Sequence, residues 1–199
     1  MQPPHTIHEV THAGLAPWLP ALGRLRIRVF REYPYLYDGN EAYEREYLRI
    51  YQDSERSRIF LVTAADGSLV GATTCLPLED EGEEFQVPFR SQGYRVGDIC
   101  YFGESILLPE WRGLGLGKTF FKLREHHARS IGKTHTAFCA VDRPDDHPRR
   151  PGTYRPLDSF WIAQGYTQQP DLRAVFHWKD LDEPGESPKT LTFWIKCLD

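Results

Sequence analysis

The period of the apolar positions changes several times along the chain, and each change predicts an element. Thr6–His12 alternates weakly, as a first strand would. Between Pro17 and Arg31, Leu19, Leu22, Leu25, Ile27, Val29 and Phe30 interleave with Arg24, Arg26, Arg28 and Arg31, which predicts an amphipathic helix of imperfect period. The run Tyr33-Pro34-Tyr35-Leu36-Tyr37-Asp38-Gly39-Asn40 breaks it. Asn40 is a natural N-cap for a second helix, Glu41–Gln52, whose Tyr43, Tyr47, Ile50 and Tyr51 share one face. Arg58–Ala64 and Leu69–Leu76 are β-rich and flank Ala65-Asp66-Gly67-Ser68, a hairpin signal. Glu79–Tyr94 reads as a loop with one short helix, its acidic start solvated. Asp98–Leu108 is a long strand in which Gly103 marks a bulge or a close approach. Leu116–Ser130 is a helix stopping near Gly132, and Thr134–Val141 is another strand. After the Pro- and Arg-rich Asp142–Pro156 come a short helix, Leu157–Gln164, stopped by Gly165, and two last strands, Leu172–Lys179 and Thr190–Cys197. This order predicts an α/β fold of the α+β type, a mixed sheet with helices on both faces.

Composition narrows the function classes. The 199 residues suit a single domain and a core that needs no metal or disulfide staple. A net charge of −4 argues against a broad nucleic-acid face. No apolar run approaches the ~18 residues of a membrane span. Met1–Val10 lacks the basic-then-apolar layout of a signal peptide, so the expectation is a cytoplasmic protein. Cys75, Cys100, Cys139 and Cys197 are widely spaced and read as reduced core thiols. Neither a CxxC pair nor HExxH is present, so no metal is expected. His126 and His127 point about 100° apart on a helix and cannot chelate together; a solvated face is the expectation there.

The chemistry is concentrated in Glu104-Ser105-Ile106-Leu107-Leu108-Pro109-Glu110-Trp111-Arg112-Gly113-Leu114-Gly115-Leu116-Gly117-Lys118-Thr119. An apolar strand ends at Pro109, glycines follow at alternate positions, and a helix begins. A helix N-terminus leaves about four N–H groups without intrahelical partners and carries partial positive charge. Glycines let an anion approach that backbone, so the turn is suited to phosphate. A nucleotide P-loop would need glycine where Arg112 stands, and in the dinucleotide fingerprint the third glycine would fall one residue later.

The spacing that is filled is Arg-x-x-Gly-x-Gly, by Arg112, Gly115 and Gly117. With Gly165-Tyr166 behind the later short helix, it resembles motif A of the GNAT superfamily of N-acetyltransferases. The resemblance spans most of Thr6–Cys197. It implies a mixed sheet of about six to seven strands, with a V-shaped splay between Asp98–Leu108 and Thr134–Val141. It implies acetyl-coenzyme A as co-substrate, with the backbone of Ile106, Leu107 and Leu108 along the pantetheine arm. Arg112, Gly113, Leu114, Gly115, Leu116, Gly117, Lys118 and Thr119 would then surround the pyrophosphate. The implied reaction is direct acetyl transfer to a primary amine of a small molecule or peptide, in a ternary complex.

Such a reaction needs a proton acceptor for the amine and help for the leaving thiolate. Glu104, on the central strand beside Gly103, is the candidate base; the alternative is a carboxylate paired with an arginine for structure. The tyrosine that the family often uses as acid is replaced by Trp161, and a common asparagine by Tyr154. Tyr154 is therefore the candidate acid, with water as the alternative, and Trp161 is read as packing. Tyr33, Tyr35, Tyr37 and Asp38 occupy the family's acceptor wall, although tyrosines that bridge core and surface explain them as simply. In Asp142–Pro151, Arg149 or Arg150 is placed to grip a carboxylate; a solvated loop or a homodimer contact is the alternative. Cys139 reads as core. Two other functions fit the same residues: transfer of another acyl group or to a hydroxyl, and a non-catalytic coenzyme-A-binding sensor.

Overall fold

The computed structural model describes residues 3–198, so the segment that starts at Met1 is described only from Pro3. Seven strands form one open sheet: β1 His5–Thr11, β2 Arg58–Ala64, β3 Leu69–Pro77, β4 Ile99–Leu107, β5 His135–Val141, β6 Thr167–Trp178 and β7 Ser187–Cys197. Their order is β1-β2-β3-β4-β5-β7-β6, antiparallel throughout except where β4 meets β5. Six α-helices accompany them among the described residues: α1 Leu19–Phe30, α2 Glu41–Tyr47, α3 Arg49–Asp53, α4 Glu83–Ser91, α5 Leu116–Ser130 and α6 Asp158–Ala163.

Strand alternation sorts the core onto two faces. Ile59, Leu61, Ile99 and Tyr101 pack with Leu22, Leu25, Tyr51, Phe85 and Phe89 from α1, α3 and α4. Phe60, Cys100 and Phe102 turn the other way, toward Phe121 and Ala128 of α5, with Phe160 and Trp161 of α6 at the edge. Gly67 adopts φ 82° in the β2–β3 turn, and Gly132 and Gly165 stop α5 and α6 at φ 74° and 89°.

Local chemistry also explains where the sequence expectation differs. Asn40 does cap α2, its side chain accepting the Tyr43 N–H at 2.9 Å. The expected single helix bends at Leu48, where the Tyr51 N–H bonds to the Leu48 carbonyl at 3.2 Å. That tight turn buries both Leu48 and Tyr51. Residues 79–94 hold a nine-residue helix, α4, despite Pro88. β6 begins at Thr167 rather than Leu172. Pro170 weakens that run on paper, but β6 is the sheet edge, and the register shift between Gln169 and Arg173 absorbs it. Cys75 and Cys100 are buried thiols as expected, whereas Cys197 is exposed. No described helix is long and apolar enough to cross a membrane, and no trio of metal-ligating residues occurs among the described residues.

Candidate active site

Among the described strands, the sheet opens at the one parallel junction, between β4 and β5. β4 and β5 pair at Ile99↔His135, Cys100↔Thr136 and Tyr101↔Ala137, and then part. β4 stays on β3 through Ser105, Ile106 and Leu107, while β5 stays on β7 as far as Val141↔Leu191. The gap leaves Ser105 exposed and Leu107 half-buried in the middle of the sheet. It also leaves one edge of β4 without a strand partner, so backbone N–H and C=O groups face the opening.

A bulge sits where the strands diverge: Gly103 and Glu104 together oppose Thr74. A Cβ on Gly103 would run into the Tyr51 hydroxyl. The Glu104 carbonyl accepts from the Thr73 hydroxyl at 2.7 Å and from Arg124 Nη1 at 3.4 Å. Arg124 is buried, its guanidinium 4.2 Å from the Phe102 ring centroid and 4.9 Å from that of Phe121. Burial lowers its pKa.

Beyond the gap, the Leu108 N–H bonds to the Val70 carbonyl at 2.9 Å, and a 3-10 turn, Pro109–Trp111, leads into the glycines. Gly113 and Gly115 take φ 74° and 86°, and a Cβ on either would have no neighbour within 4 Å. Gly115 is the N-cap residue of α5, and no side chain caps that helix. Gly117 has a different reason: a Cβ there would lie 3.2 Å from Phe160 of α6. Arg112 reaches back, Nε to the Leu107 carbonyl at 3.0 Å and Nη1 to Glu32 at 2.7 Å, tying the turn to the end of α1. Lys118 is exposed, Leu114 half-buried and Leu116 buried. The Thr119 N–H closes the first helical turn on the Gly115 carbonyl at 3.2 Å. A 15-residue helix whose N-terminus opens beside two uncrowded left-handed glycines fits a diphosphate.

Glu104 adopts the arginine-paired arrangement. It is 2% exposed, its Oε1 meets Arg26 Nη1, and its Oε2 accepts from Thr74 Oγ1 at 2.5 Å. Arg26 Nε also binds Glu44 at 2.5 Å. Burial works against the charge on Arg26, but Glu104 and Glu44 hold its pKa above the ordinary value. Tyr154 lies in the loop after β5, edge-on to Tyr33 with ring centroids 4.6 Å apart, and burial raises its pKa. Trp161 packs on Phe138 and Trp194, both 5.1 Å away by centroid.

Several side chains differ from the sequence reading. His127 is buried and bonds the Arg56 carbonyl at 2.8 Å, because it lies one turn after Arg124 on the inner face of α5; only His126 is exposed. Asp38 is held by Lys179 at 2.8 Å, which lowers its pKa. Arg150 pairs with Asp145, and it is Arg143 that reaches inward, to Asp180 at 2.7 Å and to the carbonyls of Pro34 and Tyr35. Cys139, just past the last β4–β5 pair, lies 3.1 Å from the Tyr101 hydroxyl, and burial pushes its thiol up to about 12.

Glu81 was hidden in the expected solvated loop. Glu79 and Asp80 are half-buried and paired, Glu79 with Arg56 and the buried Lys133, Asp80 with Arg56 and the buried Ser54 hydroxyl. Glu81 turns inward and is 6% exposed. Its Oε2 accepts the Gly82 N–H at 3.3 Å, and its Oε1 is buried without a hydrogen-bond partner. Burial first, and Glu104 second, push its carboxyl up to about 8. The signal for it was spacing: Glu81, Phe85 and Phe89 fall at four-residue steps, which continues the apolar stripe of α4 back onto the glutamate.

The open gap, the bulge and the glycine-led helix form one continuous feature of the sheet, and sequence and fold comparisons identify the family that carries it. The acetyltransferase (GNAT) family model matches residues 24–151. The chain belongs to that family, whose activity is acyl transfer. No match is found among curated proteins. Among solved structures, an acetyltransferase from Streptococcus agalactiae 2603 is similar at TM-score 0.60 and 16% identity, covering 98% of each chain. The ribosomal-protein-alanine N-acetyltransferase from Brucella melitensis is similar at 0.59 and 14%, covering 97% of this chain and 99% of its own. A Salmonella typhimurium protein solved with its cofactor acetyl-CoA is similar at 0.57 and 14%, covering 98% and 94%.

Proposed function

We propose that this protein is an N-acetyltransferase that moves an acetyl group from acetyl-coenzyme A to a primary amine, by direct attack in a ternary complex. The observation that carries this reading is the gap between β4 and β5, leading to the uncapped start of α5 at Gly115. In this reading the pantetheine arm runs along the main chain of Ile106 and Leu107 in β4 and of Leu108 just beyond it. In the same reading the turn from Arg112 through Gly113, Leu114, Gly115, Leu116, Gly117, Lys118 and Thr119 holds the pyrophosphate with its amides, and Lys118 adds charge. The bound co-substrate supplies an activated thioester, so the protein's own tasks are positioning, exclusion of water and proton removal.

The acceptor side is aromatic. Tyr35 packs on Phe30 and Trp178, Tyr37 on Tyr43, and Arg143 fixes the carbonyls beneath them. Tyrosine faces with buried carboxylates behind them favour a cationic amine as acceptor. The Brucella melitensis relative is an N-acetyltransferase by name, in line with nitrogen rather than oxygen.

The test is calorimetry with coenzyme A, followed by thiol release from acetyl-coenzyme A over a panel of aliphatic amines, polyamines, aminoglycosides and peptides. We expect binding and release with at least one amine class. A second reading is a coenzyme-A-binding module without catalysis, favoured by the packing of Trp161 where the family often has its acid. Binding with no release across the panel would support that second reading instead.

A further inference from the structure

We propose that Glu81 is the general base, taking the proton of the incoming amine on its Oε1; this rests on the transferase reading above. The buried carboxylates of this face differ in what already holds them. Glu104 has both oxygens committed, one to Arg26 and one to Thr74. Glu44 gives Oε2 to the same guanidinium at 2.5 Å and interacts with the Tyr37 hydroxyl; its Oε1, like that of Glu81, has no hydrogen-bond partner, so what sets Glu44 apart is the cation it already holds. An oxygen already engaged by a buried guanidinium or a hydroxyl is not free to meet an incoming amine. Glu81 has no cation in hydrogen-bond contact, one oxygen on a backbone N–H, and the other without a partner.

Its position matches the role. Tyr101 ends the β4–β5 pairing and Cys139 lies just beyond it, and both feel the charge of Glu81. Phe85, one turn on from Glu81, packs on Tyr101 at 4.9 Å between centroids. Tyr35, Tyr47 and Cys139 around this apex are only half-buried. Glu81 is therefore near the closed end of the gap, its orphan oxygen enclosed there, on the sheet face where Phe85 packs on Tyr101. The titratable groups electrostatically coupled to it are Glu104 and Tyr101 from β4, Glu84 from α4, Arg26 from α1, Tyr47 from α2, Tyr51 from α3 and Cys139 from β5. Burial and Glu104 raise its pKa to about 8, and the more distant Arg26 opposes them. A base with a pKa near working pH is well matched to proton transfer.

The step balances as follows. The amine nitrogen's lone pair forms the C–N bond, and the C–S bond breaks with its electron pair going to sulfur. The surplus proton on nitrogen passes to Glu81 Oε1. The thiolate takes a proton from solvent and Glu81 returns one to solvent, so the carboxylate is restored.

The test uses Glu81→Gln in the full chain. Carbon-13 NMR of glutamate-labelled wild-type protein should show one carboxyl titrating near pH 8, absent from the variant. Coenzyme A affinity by calorimetry should stay within about threefold, since Glu81 touches none of the turn residues. With an acceptor amine from the panel, kcat should fall roughly 10²–10⁴-fold and the alkaline rise in the pH profile should vanish. Formate should restore part of the rate to Glu81→Ala, which a purely structural role would not allow. If no wild-type glutamate titrates above pH 7, or if Glu81→Gln keeps its rate and pH profile, the assignment to Glu81 is overturned and the transferase reading stands. If the wild type binds coenzyme A but transfers to no amine, that reading fails and takes this one with it.

Discussion

The three glycines of the turn are held for different reasons, and substitution separates them. Gly113 and Gly115 need the left-handed backbone, whereas Gly117 needs room beside Phe160. Gly115→Val places a β-branched residue at φ 86°, at a cost of roughly 1–3 kcal/mol, and puts methyl groups where a diphosphate would approach the amides of α5. We expect at least tenfold weaker coenzyme A binding by calorimetry, with the protein still folded by circular dichroism. Arg26 presents the opposite balance. Removing its guanidinium leaves Glu44 and Glu104 buried as uncompensated neighbours. Arg26→Ala should therefore lose about 3–5 kcal/mol in a urea titration, the usual scale for breaking one side of a buried pair. A loss under 1 kcal/mol would mean that the carboxylates find other partners or take up protons.

Elements with strong local signals were legible in the sequence. α5 was legible at both ends because it runs from a glycine-led start to Gly132, with an apolar stripe between. The β4 bulge was legible because glycine within an apolar strand has few other uses, and Tyr51 does occupy the space that a Cβ would take. What could not be read were consequences of pairing at a distance. Whether Glu104 was free or bound depended on Arg26, which lies 78 positions away in the chain. Nothing in the local sequence distinguishes Arg124 from the other charged positions of α5, and only the approach of α5 to Phe102 makes it a buried cation. Glu81 was obscured by its own neighbours. Three acidic residues in a row imply solvent, yet a 3-10 turn, Leu78–Asp80, rotates the last of them under α4. Composition averages over such a run, whereas the four-residue spacing to Phe85 and Phe89 does not.

At the scale of the whole molecule, the site shapes the pH dependence of folding. In an unfolded chain Glu81 would titrate near its ordinary 4.5, whereas in the fold it titrates at about 8. Between those values the folded state binds more protons than the unfolded one, so stability falls as pH rises. The contribution from protonated Glu81 is fully present below about pH 4.5 and is lost as pH climbs through about 8. Glutamine has nearly the same shape and does not ionise. Glu81→Gln should therefore melt at nearly the wild-type temperature at pH 5 and several degrees above it at pH 9, where the wild type buries a charge beside Glu104. A carboxylate kept in the core against the stability of its own fold is the pattern expected of a group selected for chemistry. Scanning calorimetry of both proteins across that range decides the matter without any acceptor. Parallel curves from pH 5 to 9 would mean that Glu81 is solvated and ionises freely, and an oxygen in that state is neither orphaned nor buried.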